Sequence, residues 1–128
     1  MTTYLLDTSV IIDALNGKRG RDALLKQLLH EGHLLGCSSI QVSEVYAGLS
    51  PQEEAVSEEL LRSLEYYEVT WEIARLAGIL KRDYARNGIT LAIADVTIAA
   101  VALTHQLTLI TGNPKHYPMK DLQRYPLV

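Results

Sequence analysis

Three carboxylates in this chain stand in surroundings that seldom tolerate one. Asp7 follows the apolar run at 4–6 and precedes TSVII; Glu44 lies inside IQVSEVYAGL; Asp95 interrupts LAIADVTIAAVAL, the most apolar stretch of the sequence. Taking a carboxylate out of water is costly unless it is paired, hydrogen-bonded or bound to a cation, and few cationic residues lie near these three in the sequence. Carboxylate oxygens are the hard ligands that Mg²⁺ and Mn²⁺ prefer. A divalent ion held by acids with open positions can activate water and neutralise a phosphoryl group. Metal-assisted chemistry at a phosphate is among the chemistries these residue types permit. Each acid also has a plainer reading. Asp7 could cap a helix, Asp95 could complement a helix dipole in a first turn, and Glu44 could lie on a solvated face. Asp13, six residues after Asp7, is either a further acid of the same site or a solvated helix position.

The elements that would position these acids follow from the hydrophobic pattern. Residues 4–6 read as a short buried strand, and Asp7-Thr8-Ser9 offers capping side chains before VIIDALNG, with Gly17 as its stop. A helix is expected over 20–31, a strand over 33–37, and a helix over IQVSEVYAGL capped by Ser38-Ser39. Pro51 suits the start of a helical stretch reaching about Tyr66. Further helices are expected over 71–86, ending at Asn87-Gly88, and over 94–105, followed by a strand at 107–110 and the polar turn TGNPKHYP. Short apolar strands separated by helices indicate an α/β chain folded in three layers, helices on both sides of a short, mainly parallel sheet. In such folds ligands bind beyond the carboxyl ends of the strands. Asp7 follows the first strand directly, and Thr111-Gly112-Asn113 follows the last.

The 128 residues, 48% of them hydrophobic, suffice for one core and one domain over 1–128. No internal repeat, low-complexity tract or linker stands out. No apolar run approaches the roughly 18 residues that a membrane span needs. The N-terminus has no basic region before an apolar stretch, and the single Cys37 argues against a disulfide framework, so a cytoplasmic address is expected. Cys37 follows HLLG and reads as a small core residue. Lys and Arg total 12 against 15 Asp and Glu, a net charge of −3. That balance argues mildly against a simple nucleic-acid-binding module, though not against an enzyme whose acids meet phosphate through a cation.

Substrate grip would need local positive charge. Arg19 and Arg21 follow the first acid, and Lys115 with His116 lies in the last loop, so these four are the candidate substrate-binding residues by the strand-end rule. Arg75, Lys81, Arg82 and Arg86 share the helix at 71–86, where a solvated face is the commoner meaning. Tyr46, Tyr66, Tyr67 and Tyr84 could stack on bases, but their place on amphipathic helices favours packing.

The chain resembles PIN-domain proteins, in particular the VapC-type ribonuclease toxins of bacterial and archaeal toxin–antitoxin pairs. YLLDTSVIIDAL resembles the first acidic motif of that family, SIQVSEVYAGL the second, and IADVTIAAVALTHQLTLITGNPKHY the third and fourth run together. The resemblance spans essentially the full length and implies a PIN-like three-layer α/β/α fold. It implies that Asp7, Glu44 and Asp95 are catalytic and bind Mg²⁺ or Mn²⁺. Thr8, Ser9, Thr111 and Asn113 would orient them from behind. It also implies endoribonuclease activity on RNA, a homodimer, and a VapB-like antitoxin partner that blocks the acidic site. One position departs from the pattern: His116 stands where many relatives carry an acid, which puts a second metal ion in doubt and admits a catalytically silent, PIN-like RNA- or protein-binding scaffold as the rival. A phospho-acceptor receiver is a poorer rival, because the second and third acids fall within helices.

Overall fold

The computed structural model describes residues 1–127. In chain order its elements are β1 (Thr3–Leu6), α1 (Thr8–Leu15), α2 (Arg21–His30), β2 (Leu34–Ser38), α3 (Ser39–Ala47), α4 (Glu54–Ser63), β3 (Glu65–Tyr67), α5 (Trp71–Arg86), α6 (Ile93–His105) and β4 (Thr108–Ile110). Single 3-10 turns lie at Pro51–Glu53 and Pro114–His116. The four strands form one parallel sheet in the order β3-β2-β1-β4.

Strand alternation divides the core into two. Successive side chains of a strand point to opposite faces, so Leu5 and Leu109 pack on one side while Leu6 and Ile110 pack on the other. The first side is covered by α5, through Ile73 and Ala77, and by α6. Every residue of α6 from Val96 to Ala102 is buried, as expected of a helix that is apolar on all sides. The second side is covered by Val10 and Ile11 of α1, Leu25 and Leu28 of α2, Val45 of α3 and Leu61 of α4. The result is the expected α/β/α layering with a short parallel sheet. Cys37 lies in this second core, and burial pushes its thiol up to about 11, which suits packing and not nucleophilic work. Among the described residues no helix is long and apolar enough to cross a membrane.

One expected element is corrected. The helical stretch drawn from Pro51 to about Tyr66 is a 3-10 turn followed by α4, which stops at Ser63. Leu64 then turns extended (ψ 152°), and Glu65–Tyr67 become an edge strand paired with Gly36, Cys37 and Ser38. The free edge of β2 wins over helical propensity because its backbone groups need partners. Gly36 leaves room for the Tyr67 ring on the neighbouring strand: a Cβ there would stand 2.8 Å from its Cε2. At the opposite edge, the Leu109 amide donates to Gln123 O and the Tyr125 amide to Leu109 O, both at 2.8 Å, so the C-terminal segment lines β4.

The strand order has a consequence for function. The chain builds outward from β1 through β2 to β3, then returns to the far side of β1 for β4. The carboxyl ends of β1 and β4 therefore flank the point where the direction of winding reverses, the usual position of a ligand crevice.

Candidate active site

Asp7 is the hub of the cluster at that point. Its backbone is extended (φ −65°, ψ 152°) as it leaves β1, and its amide donates to Ile110 O of β4 at 2.9 Å. Its Oδ1 accepts the Thr8 amide at 2.8 Å, so the residue does cap α1. Capping is only part of its role. Oδ2 accepts the Thr111 hydroxyl at 2.7 Å, and Oδ1 also accepts the Tyr117 hydroxyl at 3.0 Å. The residue is only 6% exposed, so these donors stand in for most of its water.

Asp95 occupies the first turn of α6, where the helix dipole favours an acid. Its Oδ1 accepts from the same Tyr117 hydroxyl at 3.3 Å, and its Oδ2 lies 3.5 Å from Nδ1 of His116. Burial first, then the charge of Asp7, raise its carboxyl above the ordinary range; His116 and the Tyr117 hydroxyl act the other way, and Glu44 adds to the rise. Asp7, Glu44 and Asp95 are thus electrostatic neighbours although 88 positions separate the outer two in sequence (95 − 7).

Glu44 lies on the exposed side of α3 and accepts the Thr8 hydroxyl at 2.6 Å. Gln41, fully buried on the same helix, sets that approach. Its side-chain oxygen accepts the Ser38 amide at 2.9 Å and the Ser38 hydroxyl at 2.5 Å, and its amide donates to Leu6 O at 2.9 Å. The start of α3 is thereby fastened to the end of β1. Sequence reasoning passed over Gln41 as a site element, although Ser38-x-x-Gln41 is a capping-box pattern.

The remaining candidates separate clearly. Thr8 and Thr111 are joined to the acids by their hydroxyls. Asn113 enters through its backbone amide, which donates to the Thr111 hydroxyl at 2.9 Å. Ser9 has a buried hydroxyl without a hydrogen-bond partner among the described residues. It lines a cleft of about 280 Å³ with Asp13, Arg19, Arg21, Gly112 and Asn113. Arg19 is paired with Asp13 at 3.0 Å, and Nη1 of Arg21 donates to Arg19 O at 3.3 Å. Lys115 and His116 are exposed on the 3-10 turn after β4. On α5, Arg75, Arg82 and Arg86 are exposed and Arg82 pairs with Asp83, which fits a solvated face. Tyr46 donates to Glu58 at 3.1 Å, and Tyr67 packs on His105 with ring centroids 4.8 Å apart.

Tyr117 is the residue that sequence reasoning missed. It is fully buried, and burial with its two acidic neighbours pushes its hydroxyl far above the ordinary range, so it keeps its proton. Nothing in the spacing of TGNPKHYP marks it, because a tyrosine after a polar turn reads as packing.

All three acids offer only oxygen donors, which suits a hard divalent ion. Among the described residues no three His, Cys, Asp or Glu side chains yet converge into a ready-made metal cage. Glu44 instead accepts the Thr8 hydroxyl.

Comparison with known proteins agrees with this fold. The PIN domain family matches residues 4–122. Ribonuclease VapC19 of Mycobacterium tuberculosis is 33% identical over 120 residues, covering 93% of this chain and 96% of that protein. Ribonuclease VapC10 of the same species is 31% identical over 122 residues, covering 95% and 91%. Among solved structures, VapBC2 from Rickettsia felis bound to a promoter DNA fragment superposes with a TM-score of 0.84 at 23% identity, over 97% of this chain and 98% of that one. A toxin–antitoxin complex from Klebsiella pneumoniae gives 0.78 at 26% identity, over 98% of each chain.

Proposed function

The chain belongs to the PIN-domain family, and from that premise we propose that it is a divalent-metal-dependent endoribonuclease, the toxin of a VapBC-type pair. The observation that carries this reading is the convergence of Asp7 and Asp95 on one buried hydroxyl where the sheet reverses its winding. Relatives named as VapC ribonucleases support the class of activity, and solved VapBC complexes of the same fold support a VapB-like antitoxin partner.

Asp7 and Asp95 would hold the cation, and Glu44 would complete the set from α3 or steer the attacking water. Mg²⁺ or Mn²⁺ bound by these oxygens would offset the repulsion between the acids and the phosphodiester and supply an activated water. Thr111 and the Thr8 amide fix the plane of the Asp7 carboxylate, and the Thr8 hydroxyl steadies Glu44. The cleft beside Ser9, Arg19, Arg21 and Asn113 would receive a phosphate of the RNA, with Lys115 and His116 meeting the strand from the neighbouring loop. Pairing with Asp13 tempers Arg19, which leaves Arg21 the stronger contact. Val56, 66% exposed, lines one groove with Ile12, Leu15 and Leu49, an apolar surface that supports a homodimer or the antitoxin contact.

The test is cleavage of single-stranded RNA by purified protein freed of antitoxin. Cleavage with Mg²⁺ or Mn²⁺ that stops in EDTA is expected. Undiminished cleavage in chelator would overturn the mechanism, and failure on every RNA with metal present would favour a silent scaffold.

A further inference from the structure

The Tyr117 hydroxyl carries one proton and faces two carboxylates. It lies 3.0 Å from Asp7 Oδ1 and 3.3 Å from Asp95 Oδ1. Both are long for a hydroxyl donating to a single carboxylate, which settles at about 2.5–2.7 Å. Those lengths are what a shared donor gives. A carboxylate has about four acceptor positions, two on each oxygen. On Asp7, the Thr8 amide and the Tyr117 hydroxyl fill both positions of Oδ1, whereas among the described residues Oδ2 accepts only the Thr111 hydroxyl. One position on Oδ2 stays open.

The tyrosine is itself held from behind. Arg124, in the segment that lines β4, donates to the Tyr117 carbonyl through Nε at 2.9 Å and Nη2 at 2.6 Å, and to Met119 O at 2.9 Å. The ring is fully buried in the core shared with α6. The hydroxyl therefore has little freedom to follow either acid.

We propose that Tyr117 is a positioning residue of the cation site: its hydroxyl fixes Asp7 and Asp95 relative to each other and blocks Asp7 Oδ1, so that Asp7 presents Oδ2 alone to the cation. This rests on the metal-dependent reading above and adds a residue to it. Without the hydroxyl, the two acids lose the one group that both of them bond, and Asp95 is free to swing away from Asp7. Removing a group that orients a metal ligand typically weakens binding about 10- to 100-fold.

Tyr117→Phe keeps the ring and removes only the bridge. Mn²⁺ affinity should be measured by titration calorimetry without RNA, beside the far-UV circular dichroism of the full chain. The expected result is an unchanged fold with a Kd for Mn²⁺ raised about tenfold or more. The metal concentration for half-maximal RNA cleavage should rise with it. A merely structural tyrosine would alter stability and leave the affinity alone. A Tyr117→Phe variant that binds Mn²⁺ as well as or better than the unaltered chain overturns the proposal. Unaltered protein that binds no Mn²⁺ overturns it together with the metal-dependent reading, so the two failures are distinguishable. Should the variant fail to fold, ¹³Cζ-tyrosine labelling of the unaltered chain decides. The resonance of the fully buried tyrosine should move with Mg²⁺ in step with binding, and an unmoved resonance contradicts the proposal.

Discussion

The Thr111 hydroxyl donates to Asp7 Oδ2 at 2.7 Å across 104 positions of sequence. This one bond joins the carboxyl end of the last strand to that of the first and leaves a buried acid correctly turned. Thr111 also accepts the Asn113 amide, so the same hydroxyl shapes the loop that carries Lys115 and His116.

Thr111→Val should therefore weaken more than packing. A charge-assisted bond to a buried carboxylate is worth about 1.5–3 kcal/mol, and a loss of stability of that order is expected by chemical denaturation. Mn²⁺ affinity should fall with it, whereas Thr111→Ser, which keeps the hydroxyl, should restore both. Equal metal affinity in the Val and Ser variants would show that the bond does not orient the acid.

His116 lies within 3.5 Å of Asp95 but contributes no anionic oxygen. His116→Asp should add an oxygen ligand, lowering the Mn²⁺ concentration for half-maximal cleavage. By adding a like charge beside Asp95, it should also lower the Tm in chelator. His116→Ala should change cleavage at saturating metal only slightly. A dead Ala variant, with no gain in metal affinity for Asp, would make the histidine a working catalytic group.

The raised carboxyl of Asp95 predicts an inverted pH trend in the metal-free protein. The folded state binds this proton more tightly than the unfolded chain does. That contribution is present at low pH and is lost as pH rises through the raised folded value. In EDTA, the unaltered protein should lose stability relative to Asp95→Asn between the acidic range and neutrality. Saturating Mg²⁺ should remove the loss, because the cation needs the ionised acid. Parallel Tm curves for the two proteins across this range would show that Asp95 is not strained by its neighbours.

Much of the site was legible in the sequence, and the reason is energetic. Asp7 and Asp95 stood out because each interrupts an apolar run, and burying an acid demands a partner. The cap at Ser38 was equally readable, but nothing in the sequence showed that Gln41, its partner in the capping box, ties the helix to β1 through its bond to Leu6 O. Tyr117 carried no such signal, since its hydroxyl matters only through two acids 110 and 22 positions away. β3 was hidden for a similar reason: Glu65–Tyr67 continue a helical pattern, and only the unpaired edge of β2 makes them a strand.

The most direct test of the central claim is Asp95→Asn, assayed for RNA cleavage in Mn²⁺ and for Tm in EDTA. Asparagine keeps the shape of the side chain, removes its charge and ends the repulsion from Asp7 and Glu44. Loss of cleavage together with an unchanged or higher Tm is the predicted result, the mark of an acid kept for chemistry at some cost to stability. Cleavage that survives the substitution would contradict the account, because Asp95 would then be no more than a first-turn acid of α6.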